Sequence, residues 1–403
     1  MQVVVIGAGL TGCLTALGFA DRGHQVTILE RAGRLLSRAS TANEGKVHLG
    51  YVFGADPHFH TAERLIDDAI LFRPILERWI SAAEFAAVVC DPFVYVVPAN
   101  SGLPLDVIRC HFARVDARFN ARMDELGLRY LGQPGPLDSR PLPDCDSAGA
   151  TAFLTPERAV WPQGISALVT RAIELHPRIE VRFMAEVARV VEAGEMWHVD
   201  LARPDAKGDG PFDIVVNSAW ADRRNIDRRS GYPSAGPWFT RYKFGVVLHH
   251  ASHHLADAIP PNITATSGPF GDCVYYPMND SLYSSWYPVG MCSSTTADTL
   301  ERPSFSHAQM QSLMRKTWQG CASFAPALGR LAALDSPLPA ELLGDFIIAK
   351  GRSDIDDPAS GLHQRSDHGP VRLACGYWSI ETGKYVSAPR GAMQCVSECL
   401  EEF

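Results

Sequence analysis

The stretch that decides the fold lies at residues 3–31 and reads VVVIGAGLTGCLTALGFADRGHQVTILER. Residues 2–6 are mainly apolar and β-branched, which is typical of a parallel strand buried on both faces. Apolar side chains then recur at helical spacing from Leu10 to Leu17, and Gly23 follows where such a helix would end. Residues 25–29, QVTIL, follow as the second strand. The pattern predicts a strand, a helix and a second strand in direct succession.

Three glycines between the first strand and the helix predict a site for the diphosphate of a dinucleotide. Gly7 permits a tight turn, Gly9 lets a pyrophosphate reach bare backbone, and Gly12 lets the helix pack closely on the strand. The helix N-terminus then presents unpaired amides to the phosphates. Glu30 follows eighteen residues after Gly12, where its carboxylate can accept hydrogen bonds from a ribose diol.

The segment after Glu30 favours FAD over NAD. A nicotinamide dehydrogenase would normally continue its sheet with further helix and strand units. Residues 31–57 are instead polar and small, with no apolar run of strand length before Val47. Such a segment could lie along an extended cofactor and donate Ser, Thr and Asn hydrogen bonds to its phosphates and ribityl chain.

Residues 3–51 resemble the start of the FAD-dependent oxidoreductases of the D-amino-acid oxidase superfamily. This superfamily includes sarcosine and glycine oxidases, dimethylglycine dehydrogenase, L-2-hydroxyglutarate dehydrogenase and glycerol-3-phosphate dehydrogenase. Residues 43–50, NEGKVHLG, are similar to the N-x-G-x-x-H-x-G pattern of the hydroxyglutarate branch. Residues 164–217 and 371–403 are similar to the family's two later cofactor segments. Many relatives have a glycine-rich turn after the strand that ends at Asn217, where this chain has Ser218-Ala219-Trp220.

The resemblance implies an α/β fold in which a Rossmann-like FAD-binding domain is interrupted by a discontinuous α+β substrate domain with an antiparallel sheet. We expect residues 1–84, 151–235 and 348–403 in the FAD-binding domain and residues 85–150 and 236–347 in the substrate domain. The cofactor is expected to contact Gly7, Gly9, Leu10, Thr11, Gly12, Glu30, Arg31, Arg38, Ser40, Asn43, Lys46, Val187, Trp220, Thr382, Gly383, Lys384 and Tyr385.

The candidate catalytic residues are His48, Arg241, Lys243 and Tyr276. His48 lies in the stretch that passes near the flavin ring in the relatives, where it would serve as a base, a substrate contact or, less in keeping with its neighbours, a covalent anchor. Arg241 and Lys243 share one face of an aromatic strand, so they would either clamp a substrate carboxylate or form a solvated pair. Tyr276 would line the same cavity or belong to the core.

Three functions remain open from the sequence. The family's range of substrates favours oxidation of a carbon–nitrogen bond in an amine or amino-acid-like molecule, with oxygen or another acceptor recycling the flavin. The residues around His48 favour a 2-hydroxy acid instead. A non-redox flavoprotein is the third interpretation, and a flavin monooxygenase is disfavoured because no second glycine fingerprint for NAD(P)H is evident.

Composition limits the partners that we expect. The net charge of −8 comes without a Lys/Arg block, which argues against nucleic acid and anionic membranes. The ten cysteines are scattered and form no C-x-x-C pair, so we predict no metal. There is no run of eighteen apolar residues, and a strand that starts at residue 2 leaves no room for a signal peptide. We therefore expect a cytoplasmic protein that acts on a small molecule and has no membrane span.

Overall fold

The computed structural model describes residues 1–142, 150–203, 208–298, 300–334, 336–354, 357 and 360–402. Its strands are β1 (Gln2–Ile6), β2 (Gln25–Leu29), β3 (Lys46–Val47), β4 (Val89–Val97), β5 (Arg140–Leu142), β6 (Thr151–Val160), β7 (Ile179–Arg182), β8 (Val187–Ala193), β9 (Met196–Leu201), β10 (Asp209–Phe212), β11 (Ile214–Asn217), β12 (Trp238–His249), β13 (Asn262–Ala265), β14 (Gly271–Tyr276), β15 (Ser281–Trp286), β16 (Met291–Thr295), β17 (Ala340–Lys350), β18 (Gly369–Ala374) and β19 (Tyr377–Glu381). Its helices are α1 (Leu10–Ala20), α2 (His60–Leu76), α3 (Ala82–Ala86), α4 (Leu105–Leu126), α5 (Pro162–Leu175), α6 (Arg223–Arg229), α7 (Ala251–Leu255), α8 (Tyr287–Gly290), α9 (His307–Cys321), α10 (Leu328–Ala332) and α11 (Ala388–Glu401).

The first sheet has six strands in the order β18-β19-β11-β1-β2-β7. All neighbours in it are parallel except β18 and β19. The central strand β1 is buried on both faces from Val3 onward, as its run of β-branched residues predicts. Helix α1 packs against α11 so closely that a Cβ on Gly18 would lie 2.7 Å from Met393 Cε. The predicted strand, helix and strand at the N-terminus are confirmed.

The second sheet has ten strands and is mostly antiparallel. Strand β12 pairs along its whole length with β17 on one side, and with β15 and β16 in succession on the other. Strands β14 and β15 form a hairpin, in which Asp280 has a φ of +51°. Within the described residues, the only parallel pair of this sheet joins β13 to β4. A third sheet, β8-β9-β10, is antiparallel and connects β7 to β11.

The predicted division into two domains stays a prediction, but two strands refine where the sheets meet. Strands β3 and β6 lie in ranges that we assigned to the FAD-binding domain, and both belong to the ten-stranded sheet. Strand β6 pairs with β4, and β3 then pairs with β6, with Lys46 opposite Ala159. The short strand β3 thus joins the polar segment after β2 to the second sheet.

Candidate active site

A cavity of about 960 Å³ lies where the C-terminal ends of β1 and β2 approach β12 and β17. Its volume is near the top of the range of roughly 300–1,000 Å³ that is common for ligand sites. Among the predicted cofactor residues, its wall includes Gly7, Gly9, Leu10, Thr11, Glu30, Arg31, Arg38, Ser40, Asn43, Lys46, Val187, Trp220, Thr382, Gly383, Lys384 and Tyr385. Among the predicted catalytic residues, it includes His48, Arg241 and Lys243.

The turn between β1 and α1 has the geometry that its glycines predict. Gly7 has a φ of +94°, and a Cβ on Gly12 would lie 1.9 Å from the Gly7 carbonyl oxygen. Gly12 is therefore behind the cavity wall, where it lets α1 approach β1. A Cβ on Gly9 would meet only Ser40 Oγ, at 3.4 Å, so the Gly9 backbone is bare.

Side chains from three parts of the chain close around this turn. The Glu30 carboxylate accepts hydrogen bonds from the Ala8 and Ala32 amides, each at 2.7 Å. The bond from Ala8 to Oε2 connects Glu30 to the glycine turn. The Leu10 amide donates to Ser40 Oγ at 2.9 Å. The hydroxyl groups of Thr11 and Thr382 are 2.9 Å apart, which joins the start of α1 to the C-terminal loop.

Three predicted cofactor residues make protein contacts that limit their roles. Arg31 forms an ion pair with Asp222. The Asn43 amide group donates to the Ala39 carbonyl, and its oxygen accepts from the Gly45 amide at 2.7 Å, so this side chain shapes its own loop. Trp220, in the turn after β11, has a φ of +49°, and its Nε1 donates to the Phe346 carbonyl at 2.9 Å. A left-handed tryptophan is a rare, strained conformation, which this hydrogen bond helps to hold.

Lys46 is buried, and its ammonium is fully engaged with the second sheet. Its Nζ lies 2.6 Å from Asp272 Oδ1 and 2.5 Å from Thr264 Oγ1. Burial disfavours the charged form, but Asp272 and other nearby carboxylates outweigh burial and raise the pKa of Lys46. The ion pair ties β3 to β14, so Lys46 is held by the protein on the side of the cavity that faces the second sheet.

His48 is the centre of a cluster of ionisable groups. Its Nε2 lies 3.2 Å from Lys384 Nζ and 3.8 Å from Glu44 Oε1, and its Nδ1 lies 3.6 Å from the buried Glu157 Oε1. Burial and the charge of Lys384 lower the pKa of His48. Burial, the charge of Arg365 and lesser contributions lower the pKa of Lys384 to about 7. At neutral pH the cavity therefore contains an amine and an imidazole that can both accept a proton.

Arg241 and Lys243 lie on the same cavity wall, as alternation along β12 predicts. Arg241 is 5% exposed, and its Nη1 donates to Asp354 Oδ1 at 2.9 Å and to the Tyr287 hydroxyl. Arg241 Nε has no hydrogen-bond partner among the residues that the structure describes. Lys243 Nζ lies 5.5 Å from the centre of the Tyr287 ring. The two cations provide a positive wall for an anionic ligand group.

Tyr276 lies apart from the other candidate catalytic residues. It is 2% exposed, is absent from the wall of the large cavity, and donates from its hydroxyl to the Glu44 carbonyl at 3.0 Å. Alternation in β14 turns its ring into the core beneath the loop. Its contact with the site passes through the backbone of Glu44.

A family model described as FAD dependent oxidoreductase matches residues 2–333 of the chain. The chain belongs to this family. Its match covers the glycine turn, the polar segment after β2, and strands β12 to β16, so it includes both sides of the cavity.

The chain is also similar to individual proteins and to solved structures of other proteins. The chain is 28% identical over 234 residues to the tRNA 5-methylaminomethyl-2-thiouridine biosynthesis bifunctional protein MnmC of Burkholderia lata, a match that covers 55% of this chain and 32% of that protein. The chain thus spans about a third of the length of that curated relative. Two solved structures share the fold, both at TM-scores above 0.5.

The first is iminodiacetate oxidase from Chelativorans sp. BNC1, with a TM-score of 0.65, 14% identity, and coverage of 99% of this chain and 95% of that one. The second is L-α-glycerophosphate oxidase from Mycoplasma pneumoniae with FAD bound, with a TM-score of 0.66, 13% identity, and coverage of 99% and 94%. At these identities the structures demonstrate a common fold.

The cavity of this oxidoreductase fits FAD. The bare backbone at Gly9 and the Cβ-free approach at Gly12 leave space for a diphosphate beside the start of α1. At the other end of the wall, the Tyr385 hydroxyl is buried and has no hydrogen-bond partner among the described residues. The Thr11–Thr382 contact holds these two regions together, so that one extended cofactor can reach both.

Sequence reasoning missed several residues of the oxidoreductase's site. Glu157 and Asp272 are acidic residues within strands β6 and β14, where only their contacts with distant His48 and Lys46 reveal a role. Arg365, for which the sequence favoured a structural loop role over a minority role as a substrate clamp, lines the cavity and donates to the Gly383 carbonyl at 3.0 Å. Glu157 lies beside Arg158 in a strand of mixed composition, TAFLTPERAV, so its local sequence did not mark it as buried.

Within the described ranges, no group of three or more His, Cys, Asp or Glu side chains is arranged to hold a metal ion. No helix in these ranges combines the length and hydrophobicity that a membrane crossing requires.

Proposed function

We propose that this oxidoreductase oxidises the carbon–nitrogen bond of a small amine that carries a carboxylate, such as an amino acid or an N-substituted amino acid. The observation that carries this proposal is the pairing, in one cavity, of the cationic wall at Arg241 and Lys243 with a lysine, Lys384, whose pKa is lowered to about 7. When bound, FAD accepts a hydride from the substrate carbon and passes the electrons to oxygen or another acceptor.

The cationic wall accounts for recognition of the carboxylate. The Arg241 side chain is already oriented by Asp354 and the Tyr287 hydroxyl, so little side-chain entropy remains to be lost when a ligand binds. A guanidinium can bind a carboxylate through two parallel hydrogen bonds, and Lys243 adds a second positive charge on the same face. This role requires that the substrate displace or extend the contacts that Arg241 now makes.

Lys384 supports an amine in preference to an alcohol. An ammonium substrate must lose a proton before its nitrogen lone pair can assist loss of hydride from the neighbouring carbon. Because the pKa of Lys384 is lowered to about 7, its Nζ is uncharged in a large share of molecules at neutral pH and can accept that proton. Phe53, whose ring centre is 4.9 Å from Nζ, shields one side of the amine from water.

The names of similar proteins agree with this choice. Iminodiacetate oxidase is named for an amine with carboxylates, and the MnmC relative is named for a methylaminomethyl group. The MnmC match includes 32% of that protein, so its whole activity is not transferred here.

A 2-hydroxy acid is the second candidate. It is favoured by His48, whose lowered pKa leaves the imidazole neutral and able to accept a hydroxyl proton, and by the structural likeness to glycerophosphate oxidase, an enzyme named for an alcohol. The cationic wall would serve this substrate equally well.

Anaerobic mixing of the FAD-loaded protein with matched pairs of amino acids and 2-hydroxy acids tests the proposal. We expect amino acids or their N-alkyl forms to bleach the flavin's visible absorption and to yield a 2-oxo acid together with ammonia or an alkylamine. Bleaching by the hydroxy acids alone would establish the second candidate. Absence of bleaching by every compound would support a non-redox flavoprotein.

The variant Arg241→Lys identifies the carboxylate contact. It keeps the charge and loses the planar fork, so we expect KM for the active compound to rise by about tenfold or more, with a smaller change in kcat. Arg171→Lys, which alters an exposed ion pair with Glu84, is the matched control and should leave both constants unchanged.

A further inference from the structure

We propose that Glu157 is a positioning residue whose buried carboxylate holds His48 as the Nδ1–H tautomer, so that Nε2 faces Lys384 as a hydrogen-bond acceptor. The inference rests on the proposed function for its consequence in the reaction. Its structural content, the tautomer of one histidine, stands independently of any substrate.

The sheet register places the two side chains together. Strand β3 is antiparallel to β6, with Lys46 opposite Ala159 and Val47 opposite Arg158. Continuing the register by one residue puts His48 opposite Glu157, and His48 Nδ1 lies 3.6 Å from Glu157 Oε1. Nδ1 is buried and has no hydrogen-bond partner among the described residues, so Glu157 is the acceptor that a proton on this nitrogen would meet.

Glu157 is built to remain an anion. Its side chain has no exposed surface, yet Oε2 accepts the Leu49 amide at 2.6 Å and Oε1 accepts the Tyr95 hydroxyl. Burial alone would raise the pKa of Glu157, but His48, Lys46 and the Tyr95 hydroxyl outweigh burial and lower it. An unprotonated Nδ1 would direct its lone pair at the negatively charged carboxylate, which is repulsive. A protonated Nδ1 would instead donate a hydrogen bond to the carboxylate.

The opposite ring nitrogen then becomes an acceptor. With Nδ1 protonated and the ring neutral, Nε2 carries a lone pair and can accept a hydrogen bond from Lys384 Nζ at 3.2 Å. Glu44 Oε1, 3.8 Å from Nε2, would favour the other tautomer, but it is farther away and partly exposed. Arg365 and Lys46 also face Lys384 and lower its pKa, whereas Glu44 and Glu157 raise it.

The arrangement has a defined effect on the proposed reaction. When Lys384 takes a proton from the substrate ammonium, the substrate N–H bond breaks, an N–H bond forms at Nζ, and the new ammonium donates to His48 Nε2. A shift of that proton to Nε2 would give an imidazolium beside the Glu157 carboxylate. The positive charge is thereby shared within the cluster and stays away from the substrate nitrogen.

The experiment measures the tautomer of His48 directly. Holoprotein labelled with ¹⁵N-histidine is studied by long-range ¹H–¹⁵N correlation NMR, in which the two ring nitrogens have separate shifts in each neutral tautomer. The His48 signal is assigned by its loss in His48→Gln. We expect a neutral Nδ1–H ring in the wild-type protein, and an Nε2–H ring or an imidazolium there would overturn the proposal whether or not the Glu157 variants fold.

Matched variants test the cause. Glu157→Gln replaces the acceptor with an amide that can donate to Nδ1, so we expect His48 to move to the Nε2–H tautomer. Glu44→Gln makes the same chemical change beside the other nitrogen and should leave Nδ1–H in place. Glu157→Asp keeps the charge and should retain the wild-type tautomer at least in part. An unchanged tautomer in Glu157→Gln would overturn the assignment.

A kinetic measurement separates this inference from the proposed function. Once an active substrate is known, the rate of anaerobic flavin bleaching is followed against pH. The negative charge of Glu157 raises the pKa of Lys384. Its loss in Glu157→Gln should therefore lower that pKa and move the rising limb of the plot of rate against pH toward lower pH by about one unit. If no amine reduces the flavin, the proposed function fails while the NMR result still decides the tautomer. An unmoved limb together with a changed tautomer would overturn the link from Glu157 to Lys384.

Discussion

Among single residues, Lys384 combines the clearest shift in acidity with a position in the cavity wall. It follows Gly383, whose φ of +71° brings the loop against His368, where a Cβ would lie 2.7 Å from His368 Cγ. His368 is held in turn by the buried Asp68, whose Oδ2 lies 3.1 Å from His368 Nε2. The loop thus has little freedom to move Lys384 toward water. Lys384 therefore stays buried, and burial keeps its pKa low.

The substitution Lys384→Met tests this shift through the pH dependence of stability. The pKa of the lysine falls from its ordinary 10.5 to about 7 on folding, so between these values the unfolded chain binds more protons and stability rises with pH. We expect the variant, freed of FAD, to be more stable than the wild type near pH 7, with a free energy of unfolding higher by up to a few kcal/mol. The advantage should shrink as pH approaches 10.

Urea unfolding of both flavin-free proteins at several pH values measures the difference. Arg390→Met, which removes a cation from the exposed side of the same network, is a control for loss of charge alone. A stability gap between wild type and Lys384→Met that stays constant from pH 6 to 10 would contradict the lowered pKa.

At the scale of elements, the turn from β1 into α1 was predictable because its glycines and strand pattern are local. Strand β19 was not predicted, because its sequence YWSIE mixes polar with aromatic residues. Ser379 and Glu381 are buried there, and Asp227 and Arg223 of α6 satisfy them through hydrogen bonds. Such partners are more than a hundred residues away in sequence, so the strand resembled a loop when read alone. Glu157 in β6 was overlooked for the same reason.

The glycine turn gives a prediction at this scale. In Gly9→Ala the added methyl group would meet only Ser40 Oγ at 3.4 Å, so the fold should be kept, while the methyl group obstructs the approach of the diphosphate. We expect the dissociation constant of FAD to rise by about tenfold or more, which corresponds to at least about 1.4 kcal/mol. Fluorescence quenching on titration of FAD into the flavin-free protein measures it.

Gly33→Ala is the matched control, since nothing lies within 4 Å of its Cβ. It should bind FAD as the wild type does. Equal affinity of Gly9→Ala and Gly33→Ala for FAD would show that the diphosphate does not bind at this turn.

Across the whole molecule, the cavity is assembled from segments that are distant in sequence. Thr11 meets Thr382, and Lys46 of β3 meets Asp272 of β14. The sequence predicted the parts that follow repeated local rules, and the family resemblance predicted that they converge. The precise partners could not be predicted, because ion pairs such as Lys46–Asp272 depend on the three-dimensional approach of two sheets.

The Lys46–Asp272 ion pair joins β3 to the second sheet, and removal of one partner alone is expected to destabilise the fold. Asp272→Asn leaves the Lys46 ammonium buried without its counter-charge, so we predict a loss of about 3–5 kcal/mol in the free energy of unfolding. In the double variant Lys46→Met/Asp272→Asn the unpaired charge is absent, and much of the loss should be recovered. Denaturant unfolding of Lys46→Met, Asp272→Asn and the double variant measures the coupling.

A double variant as unstable as the sum of both single variants would show that the two residues act independently. The exposed pair Arg129–Asp124 provides a control, and its double-mutant cycle should give a coupling of about 1 kcal/mol or less.

One cavity, built from the N-terminal glycine turn, the ten-stranded sheet and the C-terminal loop, is expected to bind one FAD. The most direct test of this expectation is the amount of FAD released when the purified holoprotein, saturated with FAD and freed of excess by gel filtration, is denatured. We expect one FAD per chain in the supernatant. A protein that retains no flavin after saturation, or a flavin that binds equally well to Gly12→Ala, would contradict it.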